Sequence, residues 1–154
     1  MIFKYSAENF YSLREKVTVD FAIGQQAKGR SGMLVSEAGQ NVNSVLGIFG
    51  ANASGKTNVL KPLGFLAWFI LESAFTKPGA KILFEPFAFT EGEPELTKLE
   101  LEFEFRGKHY HYELDLLGAL VAREALYLKK TRFSYLFERE LNGETGEYDF
   151  KAQD

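Results

Sequence analysis

A chain of 154 residues with 45% hydrophobic and 15% aromatic content is the size of one domain and has enough apolar side chain for a packed core, which excludes a linker or a disordered tail. Its formal charge of −3 excludes a globally cationic surface, so any contact with nucleic acid has to be local and no membrane association is expected. Without cysteine there is neither a disulfide frame nor a thiolate metal site, which fits a reducing compartment, and the expected location is the cytoplasm.

The first residues alternate polar and apolar side chains and lack the continuous apolar stretch of a signal peptide, so residues 2–8 read as a strand. In residues 16–21, Val17, Val19 and Phe21 face one way and Lys16, Thr18 and Asp20 the other, which predicts a second strand, antiparallel to the first around a turn at 11–15. From 24 to 43 the sequence turns to Gly, Gln, Ser and Asn, with Lys28 and Arg30 among them, and the lost periodicity predicts a long mobile loop.

Residues 45–49 (VLGIF) are apolar without alternation, the pattern of a strand buried on both faces. After a glycine-rich loop, residues 56–75 form the segment long and apolar enough for a substantial helix, about 30 Å if continuous. Its most apolar part, 63–71, is well short of the roughly 20 residues that span a bilayer. Pro62 removes a backbone bond at a cost of roughly 3 kcal/mol and Gly64 weakens the same turn, which predicts a kink near 58–62.

The section from about 98 to 150 is strand-rich. Leu99, Leu101, Phe103 and Phe105 alternate with Glu100, Glu102, Glu104 and Arg106. Gly107-Lys108 then turns the chain into Tyr110, Tyr112, Leu114 and Leu116, alternating with His111, Glu113 and Asp115, which predicts a hairpin. Further strands are expected at 121–128, 133–140 and 147–150, the last two joined by a tight Asn142-Gly143 turn.

The chemistry concentrates in Gly50-Ala51-Asn52-Ala53-Ser54-Gly55-Lys56-Thr57, two glycines five apart followed by Lys and Thr, which is the phosphate-loop (Walker A) pattern. Gly50 and Gly55 permit backbone angles that turn successive N–H groups into one concavity, where they bind phosphate oxygens. Lys56 adds a mobile positive charge for the outer phosphates, Thr57 a hydroxyl for magnesium, and the following helix a favourable dipole. The apolar run before the loop and the helix after it are the context this motif requires.

The sequence resembles the ABC-type ATPases of the RecF, SMC and OLD kind. The likeness rests on Glu8-Asn9-Phe10-Tyr11-Ser12-Leu13, on the loop FGANASGKTNVLKPL, and on the stretch from Leu99 to Arg139, which is similar to the antiparallel strands that OLD-like ATP/GTP phosphatases place after their first helix. The fold implied is α/β: an ABC-ATPase-like N-terminal lobe with an antiparallel β-subdomain and one long helix, residues 1–154 forming part of a single P-loop NTPase domain. The resemblance implies ATP, with GTP as the alternative, and Mg²⁺ as ligands, with contacts from Gly50, Ala51, Asn52, Ala53, Ser54, Gly55, Lys56, Thr57 and Asn58.

It also implies catalytic roles for Lys56 and Thr57, and a turn at 9–13 near the nucleotide. Tyr11 stands where many relatives carry a basic residue. Hydrolysis further needs a carboxylate ending a buried apolar strand and an acid beside it. Neither follows the loop: Glu113 and Asp115 lie on an alternating strand, Asp20 ends a half-polar one, and an LSGGQ-like signature is missing. The expectation is an incomplete ATPase that binds nucleotide with negligible turnover. Gln153, the glutamine after the loop, is a second candidate for a magnesium contact beside Thr57, since relatives place such a residue after comparable strands.

In the intact protein the resemblance implies a homodimer of heads sandwiching ATP, with DNA handling or phage defence as the process and a nuclease or DNA as partner. Two rivals are an ATP-sensing module that regulates a nuclease or toxin without turnover, and a self-contained GTPase-like or kinase-like enzyme. His109 and His111 share one strand face, as a metal site requires, but lack a third ligand and read as a solvated pair. Lys129, Lys130 and Arg132 form the densest basic patch, read as a solvated turn with a nucleic-acid backbone as the alternative.

Overall fold

The computed structural model describes residues 1–23, 32–75, 82, 84–89, 92 and 94–153. In chain order the elements are β1 (Ile2–Glu8), β2 (Val17–Asp20), β3 (Met33–Val35), β4 (Asn41–Asn43), α1 (Lys56–Glu72), a 3-10 turn (Ser73–Phe75), β5 (Thr97–Phe105), β6 (Lys108–Leu117), β7 (Leu120–Lys129), β8 (Phe133–Leu141) and β9 (Tyr148–Ala152). Period-two alternation lets each strand give one face to a core, and seven of them form an antiparallel sheet in the order β2-β1-β5-β6-β7-β8-β9.

Helix α1 crosses one face of this sheet. Its buried residues Pro62, Leu66 and Phe69 fall at spacings of four and three, the stripe a helix turns toward a core. Leu66 and Phe69 pack with Ala7, Phe10, Leu99, Tyr112, Leu114 and Leu116. Each fully buried Leu or Phe of that set contributes on the order of 1.5–3 kcal/mol, so this contact fixes the helix on the sheet. The coarse architecture is thus α/β, with a mostly antiparallel sheet and one long helix. No helix among the described residues is long and apolar enough to cross a membrane.

Several expectations are corrected. Residues 45–49 form no strand, and Val45 and Phe49 are 79% and 93% exposed. A strand buried on both faces needs a neighbour at each edge, and the antiparallel sheet offers this run none among the described residues. Within the expected loop, residues 24–31 lie outside the described residues, whereas β3 and β4 pair as a small hairpin. Its connection is held from a distance: the Glu104 carboxylate accepts the N–H groups of Glu37 at 2.9 Å and Ala38 at 2.8 Å. Burial works against the charge on Glu104, but these bonds and one from Ser36 outweigh it and hold the carboxyl below its usual range.

The β5–β6 turn comprises Arg106 and Gly107, both at positive φ, one residue earlier than expected. The β8–β9 connection runs over residues 142–147 instead of a two-residue turn, because Asn142 Oδ1 accepts the N–H groups of Glu144 and Thr145 and stabilises a wider loop. Pro62 lies inside α1 without dividing it.

Candidate functional site

Between the exposed run and α1 the chain makes a tight loop, with Ala53 at φ +62° and Gly55 at φ +85°. A Cβ at Gly55 would sit 3.0 Å from Ser12 Oγ, and one at Gly50 would sit 2.8 Å from Ser54 Oγ, so a side chain at either would push a serine hydroxyl aside, and at Gly55 the positive φ adds strain. Gly55 is the N-cap of α1 and gives no side-chain bond, and the first turn carries no acid. The N–H groups of Gly55, Lys56 and Thr57 therefore have no protein acceptor among the described residues, and they lie at the positive end of the helix dipole.

Lys56 folds back over this loop, its ammonium donating to the carbonyls of Gly50, at 2.9 Å, and Ala51. An ammonium has three donors, so one is left for a ligand. Beside it opens a cavity of 260 Å³ lined by Ser12, Ala53, Ser54, Gly55, Lys56, Thr57 and Asn58. Pockets for whole small molecules run from about 300 Å³ upward, so this one suits part of a ligand, and its donors select an anionic part. Asn52 is exposed in the loop and does not line the cavity.

Ser12 is presented by the turn after β1, which the buried Asn9 fixes at φ +51°. Asn9 Nδ2 donates to the Glu95 carbonyl at 2.9 Å, its Oδ1 accepts the Phe87 N–H at 3.0 Å, and its own carbonyl accepts the Thr97 hydroxyl at 2.7 Å. Asn58 Nδ2 then donates to Ser12 Oγ at 2.8 Å, tying the turn to the helix start. Lys61 places its ammonium 3.6 Å from the centre of the Tyr11 ring, bringing a cation from α1 to the turn.

An adjoining cavity of 270 Å³ shares Ser12 and Asn58 and is lined further by Tyr11, Glu85, Phe87 and Phe89. Sequence periodicity gave no sign of Glu85 or Phe89, because they lie in an irregular segment. The Tyr11 N–H bond to the Glu85 carbonyl, 2.8 Å, joins the Phe87 bond to Asn9 in bringing that segment in.

Other candidates lie elsewhere. Gln153 follows β9, with its N–H on the Leu136 carbonyl, and does not line the phosphate-loop cavity. Nor is the histidine pair solvated. His109 Nε2 is 3.3 Å from Glu102 and His111 Nε2 is 2.8 Å from Glu113, both rings half-buried in an ion network that includes Lys4 and Arg123. Burial lowers the His109 pKa, against the pull of Glu102. No cluster of three metal-ligating side chains occurs among the described residues.

A further cavity, of 570 Å³, lies between the C-terminal part of α1 and the sheet, away from the loop. Its lining is mostly apolar, and its polar wall is self-satisfied, with Tyr112 and Arg139 both donating to Glu124 at 2.6 Å. The loop N–H groups without a protein acceptor among the described residues thus line the 260 Å³ cavity and not this one.

No curated protein matches the chain significantly. Residues 45–153 match the sequence model of the family described as "AAA domain, putative AbiEii toxin, Type IV TA system", and that stretch includes the loop, α1 and β5 through β9. By that match the chain belongs to this family and carries a P-loop, AAA-type ATPase-like domain.

Proposed function

We propose that the chain binds ATP with Mg²⁺ through residues 50–58, as the phosphate-loop portion of a larger ABC-type ATPase of the RecF, SMC and OLD-like group. The observation that carries this reading is the set of N–H groups at Gly55, Lys56 and Thr57, without an acceptor among the described residues, at the same cavity as an ammonium whose partners among those residues are loop carbonyls. Phosphate oxygens take up those N–H groups, and the Lys56 ammonium turns from the carbonyls of Gly50 and Ala51 to the outer phosphates. The base lies toward Tyr11 and Phe89 in the adjoining cavity.

The exposed Thr57 hydroxyl fits a magnesium ion, which binds through few protein oxygens and keeps several waters. Bound there, the ion neutralises phosphate charge. No carboxylate lines the loop cavity among the described residues, so an acid that orients attacking water comes from another part of the ATPase. By resemblance, two such heads sandwich nucleotide in a dimer, with a cytoplasmic role in DNA handling or phage defence. The same lack of a carboxylate favours a second reading, an ATP-sensing module that regulates a nuclease or toxin partner, and the family description names a toxin.

Anisotropy of a fluorescent ATP analogue, with and without magnesium, tests binding, and phosphate release tests turnover. Lys56→Ala removes a charged donor worth about 1.5–3 kcal/mol, so affinity is expected to fall about 10–100-fold while the chain alone shows negligible turnover. Equal affinity of wild type and Lys56→Ala would sink the binding assignment, and rapid phosphate release by the 154 residues would sink the division of labour.

A further inference from the structure

Strand register gathers cations that are far apart in sequence. The β5–β6 turn carries Arg106 and Lys108, and the β7–β8 turn carries Lys129, Lys130 and Arg132. His109 pairs with Lys129 and Lys129 with Phe133, so both turns stand at one end of the sheet, two strand spacings or about 10 Å apart. All five cations are exposed, and none is in an ion pair among the described residues. The exposed acid Glu37 lies beside Gly107.

The opposite end, around the β8–β9 connection, exposes Glu140, Glu144, Glu147 and Asp149. Among the described residues, these two ends of the sheet therefore carry opposite charge in a chain of net charge −3. Two aromatic rings are interleaved with the cations. Phe105 is 57% exposed with the Arg106 guanidinium 5.1 Å from its centre, and Phe133 is 37% exposed with the Lys129 ammonium 5.5 Å from its centre. The tip is distinct from the phosphate loop, which adjoins the turn after β1 at the other end of strands about 30 Å long.

We propose that this tip binds single-stranded nucleic acid, the five cations holding backbone phosphates and Phe105 and Phe133 stacking on unpaired bases. A lipid surface offers the anionic charge but nothing for exposed rings set among cations to stack on. Stacking platforms flanked by basic side chains are how proteins hold single strands without reading sequence. Were all five cations to neutralise phosphates, the slope of log K against log salt would be about −3.5, a loss of about 100-fold between 50 and 200 mM salt.

The test is fluorescence anisotropy of a labelled 20-mer of deoxythymidine, and its RNA and duplex counterparts, with the full chain. Arg106→Ala/Lys108→Ala should flatten the slope by about 1.4 and Lys129→Ala/Lys130→Ala/Arg132→Ala by about 2.1. Phe105→Ala should weaken the single strand several-fold more than the duplex. Lys98→Ala, an exposed lysine at the other end, should leave oligonucleotide binding unchanged, and Lys56→Ala should lower ATP affinity without moving the oligonucleotide curve. Circular dichroism checks that the turn variants fold, and Lys129→Arg should retain binding.

Four outcomes would overturn the proposal: no binding at 50 mM salt, unchanged binding when the double and triple cation variants are combined, loss of binding in Lys56→Ala, or capture by phosphatidylserine vesicles without oligonucleotide binding. The third would place the oligonucleotide in the phosphate loop. Failure of ATP binding alone leaves this proposal standing, because the tip and the loop share no residue.

Discussion

Glu113 shows how a charge on the open face of the sheet is held in place. His111 Nε2 lies 2.8 Å from one of its oxygens and Arg123 Nη1 2.5 Å from the other, while Arg123 also reaches Glu138 at 3.1 Å. The His111 bond and the Arg123 guanidinium lower its pKa from 4.5 to about 2, against a burial effect in the other direction. A shift of that size corresponds to about 3 kcal/mol unscreened, and solvent at this half-buried site leaves about 1–2 kcal/mol.

Because the folded-state pKa is the lower one, that stability is present above pH 4.5 and is lost as pH falls toward about 2. Glu113→Gln should therefore lower the urea midpoint at pH 7, and the gap to wild type should close as pH approaches 2. A gap that stays constant with pH would mean the variant loses packing, not charge.

At the scale of elements, the helix and the loop before it separate stability from binding. Leu66 is fully buried between α1 and the sheet, so Leu66→Ala is expected to cost about 2–5 kcal/mol, read as a lower thermal midpoint. Gly55→Ala acts differently: at φ +85°, with Ser12 Oγ 3.0 Å from the new Cβ, it strains the loop by about 1–2 kcal/mol and misdirects its N–H groups. ATP affinity should fall about 10-fold or more while the midpoint moves by only a few degrees; the reverse pattern would make Gly55 a residue of the fold and not of the site.

Legibility in the sequence follows the same division. Strands β5 through β9 were readable because alternation and turn residues are local, and so was the Gly-Lys-Thr loop, whose spacing encodes its own geometry. The β3–β4 hairpin was not, because its connection depends on the carboxylate of Glu104, more than sixty residues away. Glu85 and Phe89 were hidden for a related reason, being drawn to the site by a backbone bond from Tyr11 that no periodicity announces.

At the scale of the whole molecule, large apolar side chains lie exposed in more than one place among the described residues. Besides Val45 and Phe49, α1 turns Leu60, Gly64, Ala67 and Leu71 outward at spacings of four, three and four, a second apolar stripe opposite the one that meets the sheet, and Leu71 is 68% exposed. The misreading of 45–49 as a buried strand follows from this: the residues have core chemistry, but burial depends on what covers them, which pattern alone does not show. Large exposed apolar patches mark surfaces that meet a partner or self-associate.

The chain is accordingly expected to bind an apolar dye such as ANS in its folded state and to sediment as concentration-dependent species at micromolar levels. Phe49→Ser/Leu71→Ser should suppress both while leaving the thermal midpoint within a few degrees, since neither side chain contributes to the core described here. If the double variant instead lost as much stability as Leu66→Ala, these side chains would be part of a core in solution, and the open apolar faces would not exist there.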